Sequence, residues 1–247
     1  MNTLADLMHT KAEFLTLPAP VVRNATPEDA RKTYNLASLN DLTTAHMTAD
    51  QKRRYDGLLV NVRKWRQDAR SNSGISFFLS SKQVGVGKTH IAKAVNASFC
   101  SFVGDMKYID DVPQFRVTYS SRLYTARTLI NMLGGDEQKS MWEIVPRHVK
   151  CLVIDDLGRE GYLDYVKAEK QEDERYARYF HLINHLYERR HGQHPVNIFI
   201  TTNLTTKKSK ELLGVANWSR LLQMCPKGYI LELDGIDDYR AVSRGRA

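Results

Sequence analysis

The sequence predicts an α/β fold in which a parallel sheet is flanked by helices on both faces. Short apolar runs alternate with segments of helical periodicity along most of the chain, as is typical of parallel sheets. A glycine-spaced loop with a Gly-Lys-Thr sequence connects the first such strand to a helix, and a later apolar strand ends in two aspartates. These observations predict a phosphate-binding edge of the sheet.

The glycine loop has the residue types that a bound phosphate requires. Strand, glycine loop with Gly-Lys-Thr and helix is the arrangement of a P-loop. Gly85 and Gly87 allow the backbone to curl so that its N–H groups face a β-phosphate, and the helix that begins at Lys88 adds its positive dipole end. Lys88 can reach the β- and γ-phosphates, and the Thr89 hydroxyl can ligate magnesium. The alternative is a glycine-rich turn with a chance lysine.

One position departs from the P-loop pattern. The consensus has glycine five residues before Gly87, where this chain has Lys82. A side chain is tolerated there if the backbone torsions are ordinary, and otherwise it loosens the loop or weakens nucleotide binding. The backbone at this position therefore decides whether the loop can work.

Composition limits the class of protein. The 247 residues suit one α/β domain with appendages, and the net charge of +8 is compatible with either a nucleic-acid partner or a solvated basic face. Cys100, Cys151 and Cys225 are far apart, which argues against a zinc site or a disulfide framework. Because no apolar run is long enough to cross a membrane and no signal peptide is visible, we expect a cytoplasmic protein without a membrane partner.

The chain divides into an amino-terminal arm over residues 1–35, which is a possible partner-binding segment, and an α/β domain over 36–247. The arm contains a helix start at Thr26-Pro27-Glu28. A capping box between Thr48 and Gln51 begins a helix that extends to about Arg70. One face of this helix is apolar and the rest is basic, so the basic face is either solvated or in contact with DNA.

The other elements follow from apolar periodicity and turn residues. In chain order, we expect a strand over 75–79, a helix over 89–100, a polar insertion over 104–114, a strand over 115–119, a helix over 124–133, a strand over 149–155, a charged insertion over 158–171, a helix over 172–190, a strand over 196–201 and a short helix around Trp218.

The apolar strand over 149–155 ends in Asp155 and Asp156. We expect it to lie beside the strand of the glycine loop, so that its carboxyl end meets the phosphates. Asp155 then holds magnesium, mostly through water, and Asp156 polarises the attacking water as a base. A strand that ends in Asp-Asp is common by itself, but the preceding P-loop strengthens the catalytic interpretation.

Two further polar residues have both a functional and an ordinary interpretation. Asn203 follows a strand at the same edge and can orient the water or bind the γ-phosphate, or it can be a turn or cap residue before the next helix. Arg220 can pair with an acid on its own surface, or it can reach the γ-phosphate held by a neighbouring subunit.

The order of these motifs resembles that of the AAA+ ATPases of the DnaC-type helicase-loader and IstB-type transposition-helper group. The similarity extends from about residue 38 to residue 240. The matching stretches are Gly85-Val86-Gly87-Lys88-Thr89-His90, Leu152-Val153-Ile154-Asp155-Asp156-Leu157-Gly158, Ile200-Thr201-Thr202-Asn203-Leu204, Ser219-Arg220-Leu221, Leu231-Glu232-Leu233-Asp234-Gly235 and Asp238-Tyr239-Arg240.

The resemblance implies a P-loop NTPase of the AAA+ type with a truncated or absent helical lid, and ATP and Mg²⁺ as cofactors. It implies that Asp155 and Asp156 form the Walker B motif, that Asn203 is sensor 1, and that Arg220 is an arginine finger acting in trans in a ring or spiral homo-oligomer. The implied metal ligands are Thr89 and Asp155. The implied nucleotide-binding residues are Gly85, Val86, Gly87, Lys88, Thr89 and His90.

The resemblance also implies a function, namely ATP hydrolysis coupled to the loading of a replicative DnaB-type helicase on single-stranded DNA. The alternative within the group is a transposition helper of the IstB type, which binds duplex DNA and a transposase. Two other classes stay open. A P-loop kinase would need a mobile acceptor lid but not Arg220, and a nucleotide-dependent scaffold without hydrolysis is compatible with Lys82.

Overall fold

The structure, a computed structural model, describes residues 37–42, 44–71, 74–109, 112–134, 140–158, 169–190, 192–236 and 238. Its helices, after a 3₁₀ helix at Leu39–Asp41, are α1 (Ala49–Ser71), α2 (Lys88–Ser98), α3 (Ala126–Gly134), α4 (Met141–Ile144), α5 (Glu169–Arg190) and α6 (Thr206–Met224). Its strands are β1 (Ser76–Ser80), β2 (Cys100–Ile109), β3 (Val112–Tyr119), β4 (Ser121–Thr125), β5 (Cys151–Leu157), β6 (Asn197–Thr202) and β7 (Ile230–Glu232).

Five of the strands form one parallel sheet in the order β4-β5-β6-β1-β7. The parallel sheet with helices on both faces is therefore confirmed. The prediction that the strand ending in the two aspartates lies directly beside the P-loop strand is wrong. Strand β6 pairs with β1, and β5 pairs with β6 on its other side. The strand that ends in Asn203 thus lies between the P-loop and the two aspartates, and the carboxyl ends of all three strands still meet at one edge.

Alternation along the strands divides the core between the two faces of the sheet. Phe77 and Leu79 face a cluster formed with α1 and α2, in which Trp65 contacts the rings of Phe77 and Phe199 at centroid distances of 5.9 and 5.3 Å. Phe78 faces the opposite cluster, formed with α3, α5 and α6. The central strands β1 and β6 are buried along their whole length, as expected for strands covered on both faces.

The capping box predicted for α1 is confirmed. The Thr48 N–H donates to Gln51 Oε1 at 3.0 Å, and the Gln51 N–H donates to Thr48 Oγ1 at 3.3 Å. The predicted apolar face of this helix is buried in the cluster with α2, and its members are Tyr55, Leu58, Leu59, Val62 and Trp65.

The region between α2 and α3 differs from the prediction. The expected polar insertion and the strand over 115–119 are parts of an antiparallel pair, β2 and β3, that forms a separate two-stranded sheet. The strand that joins the main sheet is β4, and the next helix begins at Ala126 rather than at 124. The later start is explained by Thr125, whose Oγ1 accepts the N–H of Thr128 at 3.2 Å as a cap does.

Several predictions concern residues outside the described ranges: the arm over 1–35 with its helix start, most of the charged insertion over 158–171, and the reduced lid beyond Asp238. Cys151 and Cys225 are described, and both are buried free thiols. Within the described part of the chain, no helix combines the length and the apolar character that a membrane span requires.

Helix α6 is interrupted at Gly214, whose φ of 75° and ψ of 161° are not helical. Only glycine adopts this conformation readily. The interruption separates a first segment that begins beside Asn203 from a second segment that contains Trp218 and Arg220, so the short helix predicted around Trp218 is the second half of α6.

Asn197 holds together the amino edge of the sheet, opposite the P-loop. Its fully buried side chain accepts the N–H groups of Gly74 and Ile75 at 2.9 and 3.1 Å, and it donates to the carbonyl oxygens of Ala69 and Lys150 at 2.9 Å each. These bonds join the end of α1, the entry to β1 and the entry to β5.

We expect Asn197→Ala to lower the free energy of unfolding by about 3 kcal/mol, because it leaves several buried main-chain groups without partners. Urea denaturation followed by circular dichroism measures the change. Asn61→Ala is the matched control, since Asn61 is partly exposed and bonds only to the Gly57 carbonyl of its own helix. A loss below about 1 kcal/mol for Asn197→Ala would contradict the assigned role.

Candidate functional site

A cavity of about 950 Å³ lies at the carboxyl edge of the sheet, between the P-loop, the ends of β5 and β6, and the start of α6. It brings together residues from three separated parts of the sequence. The predicted site residues that line it are Gly85, Gly87, Lys88, Thr89, His90, Asp155, Asp156 and Asn203.

The P-loop runs from the end of β1 to the first residue of α2. Gly85 and Gly87 have φ values of +74° and +89°, in the region that favours glycine. Asp156 is the only described non-glycine residue with a positive φ, so the backbone at Lys82 is ordinary. The condition under which a side chain is tolerated at this position is therefore met.

Lys88 is already inside the loop. Its side chain is 7% exposed, and Nζ donates to the carbonyl oxygens of Ser81 at 3.2 Å and Gln83 at 2.6 Å. The N-cap residue of α2 is Gly87, which has no side chain. No N-cap side chain therefore bonds to the first N–H groups of the helix. The loop thus places an ammonium group and a helix N-terminus at one wall of the cavity.

Gly87 is required for a second reason besides its backbone torsion. A Cβ atom at this position would lie 2.7 Å from the Tyr55 hydroxyl oxygen and 3.3 Å from Leu42 Cδ2. Burial raises the pKa of Tyr55 to about 12, so the phenol that supports the loop stays uncharged at neutral pH. Helix α1 therefore supports the P-loop from behind.

The two aspartates are fixed by a residue that the sequence analysis did not single out. Thr201, 1% exposed, donates its hydroxyl to Asp155 Oδ1 at 2.5 Å and accepts the main-chain N–H of Asp156 at 3.0 Å. The second bond holds Asp156 at a φ of +64°, which is unfavourable for a residue with a Cβ. One hydroxyl from β6 thus sets the position of both acids on β5.

Asn203 continues this arrangement. Its Nδ2 donates to Asp156 Oδ1, while its Oδ1 is buried without a hydrogen-bond partner among the described residues. A buried amide oxygen without a partner is costly, and a water or ligand group in the cavity would satisfy it. Asn203 is thus a candidate for positioning a small polar molecule between itself and Asp156.

His90 and Val86 differ from the other predicted nucleotide-binding residues. The His90 ring lines the cavity, but its Nε2 lies 2.9 Å from the Ser38 carbonyl oxygen and so attaches the segment before α1 to α2. Val86 is 3% exposed and its side chain belongs to the core beside α1. Any contact of Val86 with a phosphate would have to come from its main chain.

Arg220 is not among the residues that line the cavity. It lies on the second segment of α6, where its Cζ is 5.2 Å from the centroid of the Phe180 ring. This cation–π contact holds the half-buried guanidinium between α5 and α6, where its Nη1 is buried without a hydrogen-bond partner among the described residues. The structure therefore groups the other predicted catalytic residues but leaves Arg220 outside.

Several residues at the ends of β5 and β6 and the start of α6 line the cavity without having been predicted as site residues, and those that are polar or glycine are Gly158, Thr201, Thr205 and Lys208. Thr201 lies in a polar run at the end of a strand, and Lys208 in the first turn of the helix that follows. Both signals were visible in the sequence, but neither is specific without the strand order.

The cavity has the chemistry of a nucleotide-phosphate site. Lys88 and a helix N-terminus line the cavity at the P-loop, and Asp155, Asp156 and the Asn203 amide, which donates to Asp156, line it at the ends of β5 and β6. Thr89 and Asp155 offer the hard oxygen ligands that Mg²⁺ prefers, and magnesium sites of this kind take few protein ligands. The residues present therefore fit a magnesium–nucleotide complex.

Comparison with known proteins bears on the fold. No family model and no curated protein matches the chain. A solved structure of the DnaC helicase loader matches with a TM-score of 0.51 and 21% identity, and the match covers 83% of this chain and 99% of that one. The chain therefore has the fold of that structure, a parallel α/β sheet with a P-loop. A DNA replication initiation factor also matches, with a TM-score of 0.47, 14% identity, and coverage of 85% of this chain and 53% of that one.

The strand order observed in this fold differs from the expectation at one position. Strand β6 lies between β1 and β5, so Asn203 is brought between the P-loop and the aspartates and all three motifs line one cavity. The resemblance stated from the motifs is confirmed at the level of fold.

We expect Thr201→Val to lower the free energy of unfolding by about 2 kcal/mol, because it leaves the buried Asp155 carboxylate and the Asp156 N–H without the hydroxyl. Thr201→Ser should lose about 0.8 kcal/mol, since it gives up one methyl group but keeps both bonds. Urea denaturation compares the two variants with the native chain. Equal stability of the valine and serine variants would show that the hydroxyl does not hold the acids.

Proposed function

We propose that this chain is an AAA+ ATPase that loads a replicative DnaB-type helicase on single-stranded DNA, with loading coupled to ATP hydrolysis. The observation that carries the ATPase assignment is the shared cavity, which brings Lys88 and Thr89 to the same space as Asp155, Asp156 and Asn203. These residues come from three separate strand ends, so a chance glycine turn is a poor explanation.

The proposed hydrolysis assigns one role to each group. The P-loop N–H groups and Lys88 bind the β- and γ-phosphates of ATP and neutralise charge that develops there. Asn203 orients a water molecule toward the γ-phosphorus, and Asp156 accepts its proton as the new P–O bond forms. The bond to the β,γ-bridging oxygen breaks, and ADP and phosphate are released.

Magnesium has a defined place in this proposal. Thr89 and Asp155 would hold it, and the bound ion would offset charge on the phosphates. Thr201 keeps Asp155 in position for this role through its 2.5 Å hydrogen bond. The remaining ligands would be phosphate oxygens and water.

Arg220 completes the site of a neighbouring subunit in this proposal. Its place outside its own cavity, together with a guanidinium nitrogen that has no hydrogen-bond partner among the described residues, supports a role in trans. A guanidinium delivered by a second copy stabilises charge on the transferred phosphoryl group only after assembly. ATP hydrolysis would then depend on formation of a ring or spiral.

One comparison supports the loader. The DnaC helicase loader matches over 99% of its own length. The net charge of +8 is compatible with DNA in either case, and binding would weaken steeply with salt. The alternative, a transposition helper of the IstB type with duplex DNA and a transposase as partners, shares the same core motifs.

We expect Asp156→Asn to reduce steady-state ATP turnover by at least about 100-fold, because asparagine cannot accept the proton from water. Nucleotide affinity should change little, since the P-loop is intact. Phosphate release measures turnover, and fluorescence of a labelled ATP measures binding. Lys88→Ala serves as the comparison variant and should abolish binding itself. Full turnover in Asp156→Asn would contradict the assigned base, and absence of turnover in the native chain would favour a scaffold.

Mixing the chain with its host's replicative helicase tests the partner. Light scattering should detect a discrete co-complex with ATP, and Arg220→Ala should weaken that complex because the trans contact is lost. Lys227→Ala, which removes an exposed cation elsewhere, is the matched control. Absence of a complex at micromolar concentration, together with rings or filaments on duplex DNA with ATP, would support the transposition helper instead.

A further inference from the structure

We propose that Lys208 is a second phosphate-binding lysine, which contacts the γ-phosphate from the wall of the cavity opposite the P-loop and lets the site distinguish ATP from ADP. The inference rests on the proposed function, because it requires a nucleotide in the cavity. It adds a lysine of the same chain to a site whose other lysines, Lys82 and Lys88, lie in the P-loop.

The position of Lys208 follows from the N-cap of α6. Thr205 caps the helix, and its Oγ1 accepts the Lys208 N–H at 3.1 Å. A residue bonded to the N-cap side chain lies on the same side of the first turn as the cap. Lys208 and Thr205 accordingly both line the cavity, whereas the adjacent exposed Lys207 does not.

The neighbours of Lys208 define which phosphate it meets. Lys208 lies in the helix that follows β6 and Asn203, and the side chains of Leu204 and Leu212, on either side of it in the chain, pack against Gly158 at the end of β5, whereas the P-loop follows β1. A nucleotide whose β-phosphate occupies the P-loop directs its γ-phosphate toward the residues that position the attacking water. A cation on that side therefore meets the γ-phosphate, and ADP does not reach it.

The charge of the cavity leaves a role for such a cation. Asp155 and Asp156 bring two carboxylates to the wall that the γ-phosphate approaches. Lys88 meets the phosphates from the P-loop, and Arg220 does not line the cavity. Lys82 lines it from the P-loop side. Lys208 is thus the described cation on the wall that carries the acids.

The side chain of Lys208 is exposed and long, so it can move to an entering phosphate without breaking a folded contact. The short segment of α6 before Gly214 fixes its main chain, and Thr206 ties that segment to β7 through a 3.1 Å bond from Oγ1 to Glu232 Oε2. A mobile ammonium on a fixed backbone is suited to bind a ligand that comes and goes.

The test compares Lys208→Ala with Lys207→Ala, which removes the same charge from the same helical turn. Calorimetric titration measures the Kd of ADP and of a non-hydrolysable ATP analogue, both with magnesium. We expect Lys208→Ala to weaken binding of the ATP analogue about tenfold, as loss of a charge-assisted hydrogen bond does, and to change ADP binding less than about twofold. Lys207→Ala should leave both constants unchanged, and Lys208→Arg should restore most of the loss.

Two outcomes would overturn the inference. Equal weakening of ADP and of the ATP analogue would show that Lys208 acts on the general field of the cavity, and identical behaviour of the two alanine variants would show no specific contact. The proposed function fails separately, because a native chain that binds neither nucleotide would remove both proposals. A native chain that binds ATP while Lys208→Ala binds equally well would remove only this one.

Discussion

A single buried hydroxyl, on Thr201, joins the strand that ends beside Asn203 to the strand that ends in Asp155 and Asp156. It uses its one proton for a carboxylate and a lone pair for a main-chain N–H, so each bond fixes the direction of the other. The positive φ of Asp156 is held by this contact and by the Asn203 amide. The positions of Asp155 and Asp156 therefore depend on the pairing of β5 with β6.

The amino and carboxyl edges of the sheet use buried polar side chains in different ways. At the amino edge, the neutral amide of Asn197 satisfies buried main-chain groups and leaves no charge. At the carboxyl edge, Lys88 and the two aspartates are concentrated around a cavity that is open to a ligand. The first edge contributes stability, and the second has the buried Asn203 Oδ1, which a water or ligand in the cavity would satisfy.

Much of this arrangement could be predicted from the sequence, because its signals are local. The P-loop residues, the capping box at Thr48 and the Asp155-Asp156 strand end each consist of a few adjacent residues, and their types follow from the chemistry. The order of the strands could not be predicted in this way, since apolar runs such as those of β1, β5 and β6 contain no information on which pairs with which. Thr201 and Lys208 were missed for the same reason, because their roles depend on that order.

The hairpin of β2 and β3 shows a different limit. Alternation in residues 115–119 indicates a strand, but it cannot say whether that strand joins a parallel sheet or pairs with an antiparallel neighbour. The strand β4 is at the edge of the sheet and is only partly buried, so its sequence has a weaker apolar signal than the central strands. The helix predicted from periodicity to begin at residue 124 therefore included the last two residues of β4.

The contrast between Lys82 and Gly87 has a consequence for how such loops are recognised across proteins. At Gly87 both the torsion and the nearby Tyr55 hydroxyl exclude a side chain, whereas at Lys82 the torsions are ordinary and a long side chain extends from the loop. A consensus motif that requires glycine at both positions would not match this chain. A description written in torsion angles would keep it, because the phosphate cradle is defined by the path of the backbone.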